Sequence, residues 1–206
     1  MSFATRPIRQ QGVGLIEVLI TLFILAVGLL GVASLQFVGS FANKDAVSRT
    51  QSELVAQQVA ERLRSAARPP AVGDGLVVHD RYFNEANYNF DGLDCDDDQP
   101  YLCHCLSLPA SIPDCEGDDC NEEEISQYDG WALSCAAVQT NPLTRLNVSC
   151  TDNNAGDGDA CSAGSRVEIM LTWPLSTSAN RQSTLNTRCN PGEGDSFACV
   201  IKDITL

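Results

Sequence analysis

Residues Val18 to Leu35, VLITLFILAVGLLGVASL, carry no charge, and a single carboxylate, Glu17, stands immediately before them. A helix crosses a bilayer with about 20 mostly apolar residues, so this run is long enough to span one. An acid carried to mid-membrane costs roughly 2.5–3.5 kcal/mol, and Glu17 at the entrance therefore calls for a chemical role. The stretch in front, MSFATRPIRQQG, holds Arg6 and Arg9 as its charges, which keep it on the cytoplasmic side. A cleaved secretory signal would place a small-residue site after the apolar run. A plain single-span anchor would leave Glu17 without a purpose.

A short basic stretch ending in Gly12, followed by VGLIEVLITLFILAVGLLG, resembles the class III signal of type IV pilins and their secretion-system relatives. The resemblance implies that a prepilin peptidase cuts after Gly12 and methylates the new amino group of Val13, the apolar helix then becoming filament core. It also implies that Glu17 neutralises the methylated amino terminus of a neighbouring subunit, a pairing strengthened by low-dielectric surroundings. Val13 departs from the usual phenylalanine and Gly14 from the usual Ser or Thr. Leu15, Ile16 and Glu17 stay in register.

The chain of 206 residues leaves enough sequence behind the apolar helix for one domain with its own core. Its formal net charge is −14, and loss of the two leader arginines makes the mature form −16. Such a surface repels nucleic acid, so no nucleic-acid partner is expected. Ten cysteines, Cys95, Cys103, Cys105, Cys115, Cys120, Cys135, Cys150, Cys161, Cys189 and Cys199, all follow the apolar helix. An even count in an exported domain reads as a disulfide framework made in an oxidising compartment. Cys115 with Cys120 and Cys189 with Cys199 are the sequence-near pairings. The alternative, a zinc cluster around Cys103, His104, Cys105, Cys115 and Cys120, lacks the paired CxxC spacing of a zinc site.

Helical periodicity continues past the apolar run. In residues 43–67, Val47, Leu54, Val55, Val59, Leu63 and Ala66 recur at helical spacing until Pro69 and Pro70. Gly28, Gly31 and Gly39 read as helix-packing positions. No Lys or Arg occurs between Tyr82 and Thr144, while 13 acids lie from Asp91 to Asp129, which reads as a solvated, disulfide-tied connecting region with little helix or strand. Strands are expected at 131–138, 145–150, 166–173 and 197–206, separated by turn-forming residues. The strand at 166–173 is the clearest, with Val167, Ile169, Leu171 and Trp173 on one face.

The expected organisation is a leader at 1–12, a membrane and filament-core helix at 13–39, and its amphipathic continuation at 40–68. A cysteine-rich connecting region at 69–130 and a sheet region at 131–206 follow. This α+β layout of a long helix on an antiparallel sheet resembles the pilin fold. The segments GLLGVASLQ, LVAQQVAERLRSAARP and RVEIMLTWP are similar to those of minor pilins of type IV pili. That resemblance implies partners among other minor pilins, the major pilin, a tip adhesin and the prepilin peptidase. It implies a subunit held in the inner membrane with a periplasmic head, and later an extracellular pilus. An adhesive or ligand-binding tip module and a type II secretion pseudopilin are the alternatives.

Enzymatic signals are weak. His79 and His104 sit in no triad, HExxH or nucleotide-loop context, and exposed acids without a pocket make no acid–base pair. Asn147-Val-Ser149 matches a glycosylation sequon inside an expected strand. As a candidate cofactor, calcium is suggested by the segment from Asn87 to Asp98. Asn87, Asn89 and Asp91 occupy ligand places one, three and five, Gly92 the turn at six, and Asp98 place twelve. A second acidic turn, from Asp152 through Asn154 and Asp157 to Asp159, is rich in oxygen but irregular in spacing.

Overall fold

The structure is a computed structural model describing residues 14–70, 75–95, 99–139, 141–154, 156, 158–175, 185–192 and 196–206. Helix α1 runs over Leu15–Ala66, with Glu17 in its first turn and Arg64 in its last, each charge suited to the dipole end it occupies. It passes through Gly28, Gly31 and Gly39 as helix. The chain forms two compact units, Met1–Ala46 and Val47–Leu206.

In the second unit, α1 turns Ser48, Ser52, Val55, Ala56, Val59, Ala60 and Leu63 inward. This seam corrects the expected stripe, because Val47 and Leu54 point outward, at 43% and 56% exposure. Serines and alanines replace them at the contact. Small side chains let a helix approach its neighbour closely, a packing that a search for large apolar residues overlooks.

Three strands, β1 (Arg145–Thr151), β2 (Arg166–Pro174) and β3 (Phe197–Thr205), form an antiparallel sheet in the order β1-β2-β3. Register places Leu146 opposite Leu171, Val148 opposite Ile169, and Leu171 opposite Val200. The inward row of β2 is the expected Val167, Ile169, Leu171 and Trp173, each at 3% exposure or less. These residues share one core with Val55, Ala56, Val59, Ala60 and Leu63 of α1. Lys202 on β3 faces Ile169, and its amine reaches Gln57 Oε1 at 2.9 Å, so the aliphatic stem can cover apolar surface while the charge stays hydrated.

The expected strand at 131–138 is instead the second half of α3, Glu122–Val138. Asn121 caps its start in a capping box: the Asn121 side chain accepts from Glu124 N–H at 3.0 Å and Glu124 Oε2 accepts from Asn121 N–H at 2.8 Å. Three glutamates in the first turn oppose the positive end of the dipole. An apolar run of eight residues does not by itself separate strand from helix, and the cap ten residues upstream decides it. The connecting region also contains α2, Pro100–His104, and two short 3-10 turns, Asp80–Phe83 and Glu85–Asn87.

All ten cysteines are paired: Cys95–Cys103, Cys105–Cys135, Cys115–Cys120, Cys150–Cys161 and Cys189–Cys199. Four of these bridges close short local loops, whereas Cys105–Cys135 ties the connecting region to α3 across 30 residues.

Candidate assembly site

Glu17 occupies the first turn of α1, where its N–H donates to the Gly14 carbonyl at 2.9 Å. From Leu15 to Phe41 the large apolar side chains are exposed, among them Ile16 at 67%, Phe23 at 71%, Leu30 at 71% and Leu35 at 75%. Two hydroxyls in this stretch turn back on the helix. Thr21 Oγ1 donates to Val18 O at 2.9 Å and Ser34 Oγ to Gly31 O at 3.3 Å, so neither hydroxyl needs water. A helix of this kind is long and apolar enough to cross a membrane. What it presents chemically is a wide apolar surface with one carboxylate at its N-terminal end. That surface suits lipid or like helices, and the carboxylate calls for a cationic partner in either setting. Gly12 and Val13, the expected processing positions, lie outside the described residues.

The second unit is held by a buried polar centre that sequence reasoning missed. Asp129 on α3 is 2% exposed. Its Oδ1 accepts from Arg62 Nη1 of α1 at 3.0 Å, and its Oδ2 accepts from the Tyr82 hydroxyl at 2.6 Å. Tyr88, also buried, donates its hydroxyl to the Tyr82 carbonyl at 2.8 Å. Burial pushes both phenols well above their usual range, Tyr82 further through its bond to Asp129. The available signal was an acid in the middle of a capped helix, on the face shared with Ser126 and Leu133.

Two of the candidate calcium ligands, Asn87 and Asn89, bond within the protein. Asn87 Oδ1 accepts from Arg81 Nε at 2.9 Å, while its Nδ2 donates to the Ser126 carbonyl of α3 at 2.9 Å. Asn89 pairs with β1 as a strand would: Oδ1 accepts from Leu146 N–H and Nδ2 donates to Leu146 O, both at 2.8 Å. Gly92 is left-handed at φ 72°, as a turn at place six requires. Asp91 is exposed, and Asp98 lies outside the described residues. Close packing accompanies this arrangement, for a Cβ added to Gly130 would stand 2.3 Å from the Asn87 carbonyl oxygen.

In the second acidic turn Asp152 Oδ1 gathers Ser162 Oγ at 2.7 Å, Ser162 N–H at 3.0 Å and Ser165 Oγ at 3.1 Å. Those bonds, the Ser162 hydroxyl first, hold its carboxyl down at about 2. On the sheet surface Asp203 bonds Arg188 and Arg166, which hold its carboxyl down at about 2 as well. Arg188 also pairs with Glu168.

Both histidines have structural work. His79 Nδ1 accepts from Arg81 N–H at 3.2 Å at the start of the first 3-10 turn. The imidazole of His104 stacks on Phe90, and its carbonyl accepts from Trp131 Nε1 at 2.8 Å. Cys95, Cys103 and His104 are close enough to share an ion, but the two sulfurs are bonded to each other and offer no thiolate. Asn147 of the sequon lies in β1.

Residues 8–33 match the prokaryotic N-terminal methylation motif. No curated protein and no solved structure matches the chain. The motif spans the Gly12–Val13 junction, Glu17 and the apolar run as far as Ala33. With the long N-terminal helix, the three-stranded antiparallel sheet and the five cysteine pairs, it supports a type IV pilin-like or pseudopilin protein having the α+β pilin fold.

Proposed function

We propose that this chain is a minor pilin of the PilV kind that assembles through its N-terminal helix into a type IV pilus. In this reading it joins an initiating or tip complex that promotes pilus assembly and adhesin display. It waits in the inner membrane with its head in the periplasm, is cut after Gly12 and methylated by the prepilin peptidase, and passes into the extracellular filament beside other minor pilins and the major pilin. The observation that carries the reading is the methylation motif over residues 8–33, continued by an apolar helix whose side chains are exposed around the single acid Glu17. Glu17 would meet the methylated amino terminus of a neighbour in low-dielectric surroundings, where a charge pair gains strength.

The motif suits a type II secretion pseudopilin equally well, and gene deletion separates the two. Loss of surface pili, restored by the wild-type gene and poorly by Glu17→Ala, is expected for the minor pilin. Normal pili with lost enzyme secretion would identify the pseudopilin, and normal pili with lost attachment an adhesive tip module.

A further inference from the structure

A cavity of about 200 Å³ opens in the disulfide-tied region, lined by Arg81, Phe90, Asp91, Ser111, Gln127 and Trp131 together with neighbouring residues. Its aromatic wall is fixed in place. Phe90 stacks on the His104 imidazole at 4.7 Å and 20°, Trp131 donates to the His104 carbonyl at 2.8 Å, and the Cys105–Cys135 bridge joins the same two segments. The backbone of this wall is held against its preference, since Asn89 and Phe90 have φ of 59° and 63°. A bulky residue in the left-handed region is an outlier, and such residues gather at ligand clamps. The bonds of Asn89 to Leu146 hold it there.

Polar groups converge on the same space. The Asp91 carboxylate makes no hydrogen bond or ion pair among the described residues. Gln127 Nε2 donates to the Ser111 carbonyl at 3.0 Å, leaving its amide oxygen as an acceptor. Arg81 is engaged by Asn87 and Glu123, so its charge is already met, and the Asp91 carboxylate makes a cationic ligand the competing occupant. The net charge of −14 weighs against an acidic one. A volume of about 200 Å³ is smaller than the roughly 300–1,000 Å³ of drug-sized sites, which limits the occupant to a single ring.

We propose that this cavity binds one neutral pyranose ring, its C–H face against Phe90 and Trp131 and its hydroxyls bonded by Asp91 and Gln127. Aromatic surface with a few convergent, planar polar groups is the chemistry that recognises a sugar. This inference stands apart from the assembly reading, because the isolated chain is tested and no filament is needed.

The test uses the full chain in a detergent without a sugar headgroup, probed with D-glucose, D-galactose, D-mannose, N-acetyl-D-glucosamine and choline. Saturation-transfer NMR and tryptophan emission report binding, the latter through Trp131 because Trp173 is buried. Saturable binding of at least one neutral sugar is expected, weakened roughly tenfold or more by Asp91→Ala. That variant should keep its melting temperature, since the carboxylate is exposed. Silence of all four sugars in both readouts, equal binding by folded Asp91→Ala, or saturation by choline alone would overturn the proposal.

Discussion

Asp129 of α3 accepts from Arg62 of α1 at 3.0 Å with side-chain exposures of 3% and 52%, so a buried carboxylate is met by a half-solvated cation. Arg62→Ala would leave that carboxylate with the Tyr82 hydroxyl and no counter-charge. Removing one partner of a fully buried pair costs about 3–5 kcal/mol, and the solvated side of Arg62 brings the expected loss to about 2–3 kcal/mol. Adding Asp129→Asn should recover part of it, because the buried charge goes with it. Urea unfolding of the wild type, the two single variants and the double variant checks this coupling, and simple additivity would contradict it.

Gly130→Ala is expected to destabilise the second unit by at least the roughly 1–3 kcal/mol of an overpacked core. The new Cβ would meet Asn87 carbonyl oxygen at 2.3 Å and Asn87 Nδ2 at 2.4 Å, one of them backbone that cannot rotate away. Gly117→Ala is the control, with 3.4 Å to its nearest atom, an exposed Asp114 oxygen, and should change the melting temperature little.

Asp152 and Asp203 both have folded carboxyl pKa values of about 2 against an ordinary 3.8. A depressed folded value means that the unfolded chain binds the proton first, so these groups stabilise the fold above about pH 4. Their contribution disappears as pH falls from about 4 to about 2. Thermal melts across that window should show a decline that Asp152→Asn makes shallower, from a lower starting stability. An equally steep decline in the variant would count against the role of Asp152.

Calcium is expected to leave the melting temperature unchanged. The amide oxygens of Asn87 and Asn89 already accept from Arg81 and Leu146, and a guanidinium beside a ligand oxygen repels a divalent ion. Calorimetric melts in millimolar calcium against chelator give the answer. A rise in melting temperature with calcium would show that the loop rearranges to bind it.

The elements legible in the sequence were those with a strong period or a joint motif. The alternation of Val167, Ile169, Leu171 and Trp173 marked β2, and Glu17 before an uncharged run marked the start of α1. Residues whose role depends on partners far along the chain were hidden. Ser48, Ser52, Ala56 and Ala60 carry too little hydrophobicity to announce a seam, and Asp129 looked like one more acid in an acidic region. Trp131–Val138 was misread because its helix cap lies outside the apolar segment. The spacing of Asn87, Asn89 and Asp91 suggested an ion, but the bonds by which the two asparagine side chains fasten the loop to α3 and β1 were not legible in it.

The central claim, that this chain is processed as a pilin and built into a surface filament, is tested most directly at its amino terminus. Mass spectrometry of the chain recovered from sheared surface filaments should find Val13 as the first residue, carrying one methyl group on its amine. An intact leader through Gly12 on filament-borne protein, or absence of the chain from sheared filaments while it remains abundant in the membrane, would contradict the account.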